Sequence, residues 1–139
     1  MTITANRAAV WFGRVTWLGI AANLALAVPT LIAPNRMMAF AGVPPATPLL
    51  WVRFSALLLI LLSLFYMPAA VAPYRYPAVA WIAVASRAAG VVFFGPQATY
   101  RMFGLFDLVF LVPEAMLLTV AMRRPLPVVS TQAQGGPRP

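Results

Sequence analysis

The sequence predicts an all-α, polytopic membrane protein: a four-transmembrane-helix bundle that runs up, down, up and down across a bilayer. Three observations carry this. The 139 residues are 63% hydrophobic and 9% charged, whereas a soluble domain is about half apolar and about a quarter charged. The apolar residues gather into four blocks, each close to the roughly 20 residues that cross about 30 Å of hydrocarbon as a helix. The linkers between blocks are short and rich in proline, which suits helix ends and turns and holds consecutive helices antiparallel.

The first block covers 11–32, WFGRVTWLGIAANLALAVPTLI. Arg7 and the Ala25-Leu26-Ala27 run imitate a cleavable leader. Asn23 interrupts the apolar core, however, and the block continues past the imitation cut, so it reads as a span. The linker APNRMMAFAGVPPATP leads to the second block, 49–71, LLWVRFSALLLILLSLFYMPAAV. APYRYP leads to the third, 77–95, which is dense in small residues. Its Ala85/Ala89 and Ser86/Gly90 spacings permit close backbone approach, so this helix is expected to be the most enclosed. PQATYRM leads to the fourth, 103–122. Together, 1–122 form one membrane domain, and the polar, Pro- and Gly-rich 123–139 reads as a disordered cytoplasmic tail.

Every basic residue is an arginine. With four antiparallel spans, Arg7, Arg14, Arg75, Arg123, Arg124 and Arg138 fall on one side. Arg36 and Arg101 fall on the other, with Arg53 just inside the second helix. The positive-inside rule then puts both termini in the cytoplasm, and the Arg-, Ala- and Pro-rich composition suits a bacterial inner membrane. The formal charge of +8 fits contact with anionic membrane lipids. The arginines stand singly between apolar blocks, without a basic face or aromatic platform, so nucleic acid is not an expected partner.

With no cysteine and no histidine, disulfides, thiolate nucleophiles, imidazole bases and Cys or His metal sites are excluded. Two acids, Asp107 and Glu114, are too few for an all-protein calcium or magnesium cage. No metal and no cofactor is expected, and dinucleotide, P-loop and zinc signatures are all missing.

Arg87 lies within the otherwise apolar WIAVASRAAGVVFFG, and a charge at a helix centre costs about 2.5–3.5 kcal/mol. At 1.5 Å per residue, Arg87 lies about 15 Å in from Pro77 and Glu114 about 12 Å in from Met122. An Arg87–Glu114 midplane ion pair is therefore expected. Arg53 and Asp107 each lie about 6 Å in from the other face, which suggests a second pair. Asp107 and Glu114, seven apart, share one stripe of the fourth helix. Asn23, Ser63 and Ser86 fall in the middle zone as further polar-core or ligand-binding candidates. Pro113 frees the Val109 carbonyl as an extra acceptor for Arg87.

These residues admit four readings. In one the ion pairs only fix helix register. In the second the chain is a non-enzymatic module, an accessory subunit or a lipophile-binding bundle. In the third it is an isomerase or cyclase acting on a lipid-soluble substrate. Glu114 is then the catalytic acid/base, with Asp107, Tyr66 and Tyr100 as helpers. In the fourth it is a dimeric proton-coupled transporter that titrates at Glu114. Expected partners are membrane lipids, a lipophilic small molecule or quinone, and a second copy or a membrane partner subunit.

In its four short spans, in WVRFSALLLILLSLFY and in the GLFDLVF that opens the fourth, the chain resembles the small four-helix bacterial membrane proteins of the DoxX-like kind. The resemblance implies the four-helix fold and a link to respiratory or redox partners. No cofactor motif supports carrying that role over, and no catalytic residue is transferred.

Overall fold

The structure, a computed structural model, describes residues 7–123; the expectation for 124–139 lies outside the described residues. The described residues are mainly helical, with no strand among them. The four long helices are α1 (Arg7–Ile32), α3 (Leu49–Val71), α4 (Pro77–Phe94) and α5 (Arg101–Arg123). A short α2 (Pro34–Phe40) follows α1, and a 3-10 turn (Ala98–Tyr100) leads into α5. All four long helices are long and apolar enough to span a membrane.

Helix α2 falls in what reads as a plain linker. Pro34 sits at its first turn, where the missing N–H costs nothing and the fixed φ favours a helix start.

The helices form a ring in which α1 packs on α3 and α5, α5 on α4, and α4 on α3. Helices α3 and α5 therefore face each other across the bundle. Of the four neighbouring pairs, α3 and α4 meet least.

The surface is inverted relative to a soluble bundle. Leu50, Trp51, Val92, Phe93 and Met102 are among the most exposed side chains. Alanines such as Ala27, Ala56, Ala69, Ala80, Ala83 and Ala121 fill the interior instead. Lipid is as apolar as leucine, so helices associate through close packing of small residues.

One end of the bundle carries Arg7, Arg75 and Arg123 and is called proximal below. The distal end carries the α1–α3 connection and Arg101. A cluster of Phe12, Ala69, Ala80, Val84 and Leu118 fills the proximal end. Ile20, Tyr66, Ala70 and Ala83 continue it toward the middle.

The small-residue stripe of α4 is not its most enclosed face: Ala85 and Ala89 are exposed. Only the other spacing points inward. Ser86 bonds Tyr66, and Gly90 lies against Asp107.

Candidate functional site: a polar belt beneath a distal cavity

The buried face of α1 follows helical spacing through Phe12, Thr16, Gly19, Asn23 and Ala27. It brings two polar side chains and a glycine to the bundle axis. Gly19 has a steric role: a methyl there would lie 2.8 Å from Arg87 Nη2 and 3.3 Å from Phe110. It leaves the space that the guanidinium occupies.

Arg87 is 4% exposed and spends one nitrogen on two acceptors. Its Nη1 donates to Asp107 Oδ1 at 2.8 Å and to Asn23 Oδ1 at 3.1 Å. The Asn23 amide donates onward to Ser63 Oγ at 3.1 Å, and Ser63 donates to the Leu59 carbonyl at 2.7 Å. This belt crosses α5, α4, α1 and α3 in turn. Below the guanidinium, the Phe110 and Phe106 ring centroids lie 5.0 and 5.7 Å from Cζ, close enough for cation–π attraction of about 0.5–2 kcal/mol each. Ser86 donates to the Ala83 carbonyl, so in the Tyr66–Ser86 hydrogen bond it is Tyr66 that donates.

Both expected ion pairs need correction. Among the described residues the salt bridge is Arg87–Asp107. Arg53 is exposed on α3, and α3 lies across the bundle from α5, so equal depth does not bring Arg53 to Asp107. Arg87–Glu114 is also not an ion pair, since no nitrogen–oxygen contact between them falls within 4.0 Å.

The reason is register. A methyl at Gly90 would overlap the Asp107 carboxylate, so these two residues stand opposite each other. Arg87 is then level with Phe110, a turn from either acid, and Asp107 takes it. Glu114 sits about 6 Å further toward the proximal end. It is 1% exposed, and its Oε1 reaches the same Gly19 face as Arg87 Nη2. Thr16 Oγ1, Arg87 Nε and Glu114 Oε2 are buried without hydrogen-bond partners. Arg87 does not use the carbonyl that Pro113 frees, because both of its hydrogen bonds go to side chains.

Directly distal to the belt is a cavity of about 370 Å³. Asn23 and Asp107 form its polar floor. Its walls are Leu26, Ala27 and Thr30 of α1, Val52, Ser55, Ala56 and Leu59 of α3, and Phe94, Tyr100, Phe103 and Phe106. Met37 and Met38 of α2 cover the distal side with Ala41, Val43 and Ala46. The cavity occupies the space between the diagonal helices α3 and α5. Glu114 does not line it.

Of the residues singled out in the sequence, Arg87, Asp107, Asn23 and Ser63 come together. Ser86 joins Tyr66 in a separate contact, Glu114 is near but makes no ion pair, and Arg53 is remote. Gly90 was foreseen as a close-packing position but not as the residue opposite Asp107. Gly19, Phe106 and Phe110 were not foreseen. Their signal was the helical spacing of Thr16, Gly19 and Asn23, and the GLFDLVF aromatics that flank Asp107 on its own helix.

No protein-family model, curated protein or solved structure with which the chain was compared matches it. The class of the protein rests on the fold and the site together: an integral membrane helix bundle with four spanning-length helices and a polar belt in its interior.

Proposed function

We propose that this bundle is a non-catalytic membrane module that holds a lipophilic small molecule in its distal cavity, seated on the Asn23–Arg87–Asp107 belt. One observation carries the reading. The cavity has the volume of a small-molecule site, apolar walls and a few convergent polar groups, the usual make-up of such sites. Its mouth lies among helices of spanning length, so the ligand pool is the bilayer. The readings that place acid/base chemistry or proton transport at Glu114 lack this support, because that carboxyl does not line the cavity.

The proposal includes an orientation. Arg7, Arg14, Arg75 and Arg123 toward the proximal end, against Arg36, Arg53 and Arg101 toward the distal one, favour a cytoplasmic position for the proximal end in a bacterial inner membrane. The cavity then opens toward the outer leaflet.

Native mass spectrometry of protein released from polymer-excised native membrane discs tests the reading. The wild type is expected to retain one apolar adduct per chain, and Ala56→Phe, which fills the cavity, to lose it. A bare wild type, or equal occupancy in the variant, would overturn it.

A further inference from the structure

We infer that the molecule the cavity takes is an apolar alcohol, neutral at its head and bearing one hydroxyl that both donates and accepts on the belt. This rests on the ligand-holding reading above and narrows it by chemistry.

The floor has two polar side chains, both held by the same arginine nitrogen at 2.8 and 3.1 Å. Asp107 accepts one hydrogen bond, on Oδ1, while an ionised carboxylate offers about four acceptor positions. It therefore keeps acceptor capacity at the cavity floor and offers no hydrogen of its own. Asn23 is in the complementary position. Its amide nitrogen gives one hydrogen to Ser63 and has a second to give. The floor thus combines a charged acceptor with a single spare neutral donor.

Charge narrows the class further. Asp107 lines the cavity and Arg87, behind it, neutralises its charge. A cationic head brought there meets a carboxylate whose charge Arg87 has already neutralised, an anionic head meets that carboxylate as a like charge, and either must shed its hydration in an apolar chamber. A neutral hydroxyl avoids that cost. It donates to Asp107, making a charge-assisted bond of the stronger kind, and accepts from Asn23. A ketone or an ether only accepts, so it leaves the carboxylate unanswered, and a hydrocarbon leaves both groups unanswered.

The walls suit the rest of such a molecule. Apart from the floor they are mainly leucine, alanine, valine, methionine and phenylalanine; of the three wall hydroxyls, Thr30 already donates to the Leu26 carbonyl, and the others belong to Ser55 and Tyr100. Ser55 and Ala41 at the edge are exposed, which leaves an entry for the chain.

The test titrates the full chain in nanodiscs with labelled 1-dodecanol, 2-dodecanone, dodecyl methyl ether and dodecane, with Ala56→Phe nanodiscs as the partition background. The wild type is expected to bind the alcohol at least about tenfold more tightly than the ketone or the ether. In Asp107→Asn the ratio is expected to fall toward one. Equal affinity for all four probes in the wild type would overturn the hydroxyl assignment and leave the ligand-holding reading standing. A ketone that binds more tightly than the alcohol would overturn it too. No saturable binding of any probe would overturn both. Should Asp107→Asn fail to fold, the wild-type ratio alone decides.

Discussion

The proximal and distal halves of the bundle are built from the same helices and differ in how they fill the axis. At the proximal end, Phe12 and Leu118 are fully enclosed among Ala69, Ala80 and Val84. At the distal end the diagonal helices α3 and α5 stand apart around about 370 Å³. The polar belt marks the boundary. In a membrane, where no hydrophobic effect gathers the helices, packing density is the main adhesive. One half can thus hold the bundle together while the other stays open, as the proposed ligand-holding role requires.

The largest expected effect breaks the boundary itself. Arg87→Leu leaves Asp107 without its cation and is expected to cost about 3–5 kcal/mol, read by unfolding in mixed micelles. Adding Asp107→Leu should recover most of that loss, whereas adding Glu114→Leu should not. Recovery by Glu114→Leu instead would mean that Arg87 answers the wrong acid in this account.

Next comes the solid half. Phe12→Ala is expected to lose about 3 kcal/mol because its neighbours cannot collapse into the space. Leu59→Ala on the cavity wall should lose under about 1 kcal/mol by the same measurement. Equal losses would erase the contrast. A smaller effect sharpens the register argument. Gly90→Ala pushes a methyl into the Asp107 carboxylate and is expected to cost about 1–3 kcal/mol. The smallest is Arg53→Leu. This side chain is exposed and has no ion pair among the described residues, so stability should move by less than about 0.5 kcal/mol.

How much of this was legible follows the physics of each signal. The four spans were, because hydropathy over 18–26 residues is a summed signal that single substitutions do not disturb. Helix α2 was not, since the seven residues PNRMMAF are too few to carry a periodic signal and stand in a proline-rich linker. The inward stripe of α5 was legible from the seven-residue spacing of Asp107 and Glu114. The choice between them was not. Depth counted from helix ends carries an error of about a turn, and a turn is the difference between the two acids. Arg53 failed for another reason: depth says nothing about which helices are neighbours, and α3 and α5 are diagonal. The cavity is a property of that ring order and has no linear signature.

The contrast between halves is tested most directly by placing the same large side chain in each. Ala56 borders the cavity and Ala69 lies in the filled cluster. Thermal melting of Ala56→Phe and Ala69→Phe in one detergent compares them. The account predicts that Ala56→Phe melts within a few degrees of the wild type. It predicts that Ala69→Phe, which overpacks a closed core by about 1–3 kcal/mol, melts several degrees lower. Two equal drops, or the larger drop at Ala56, would contradict it.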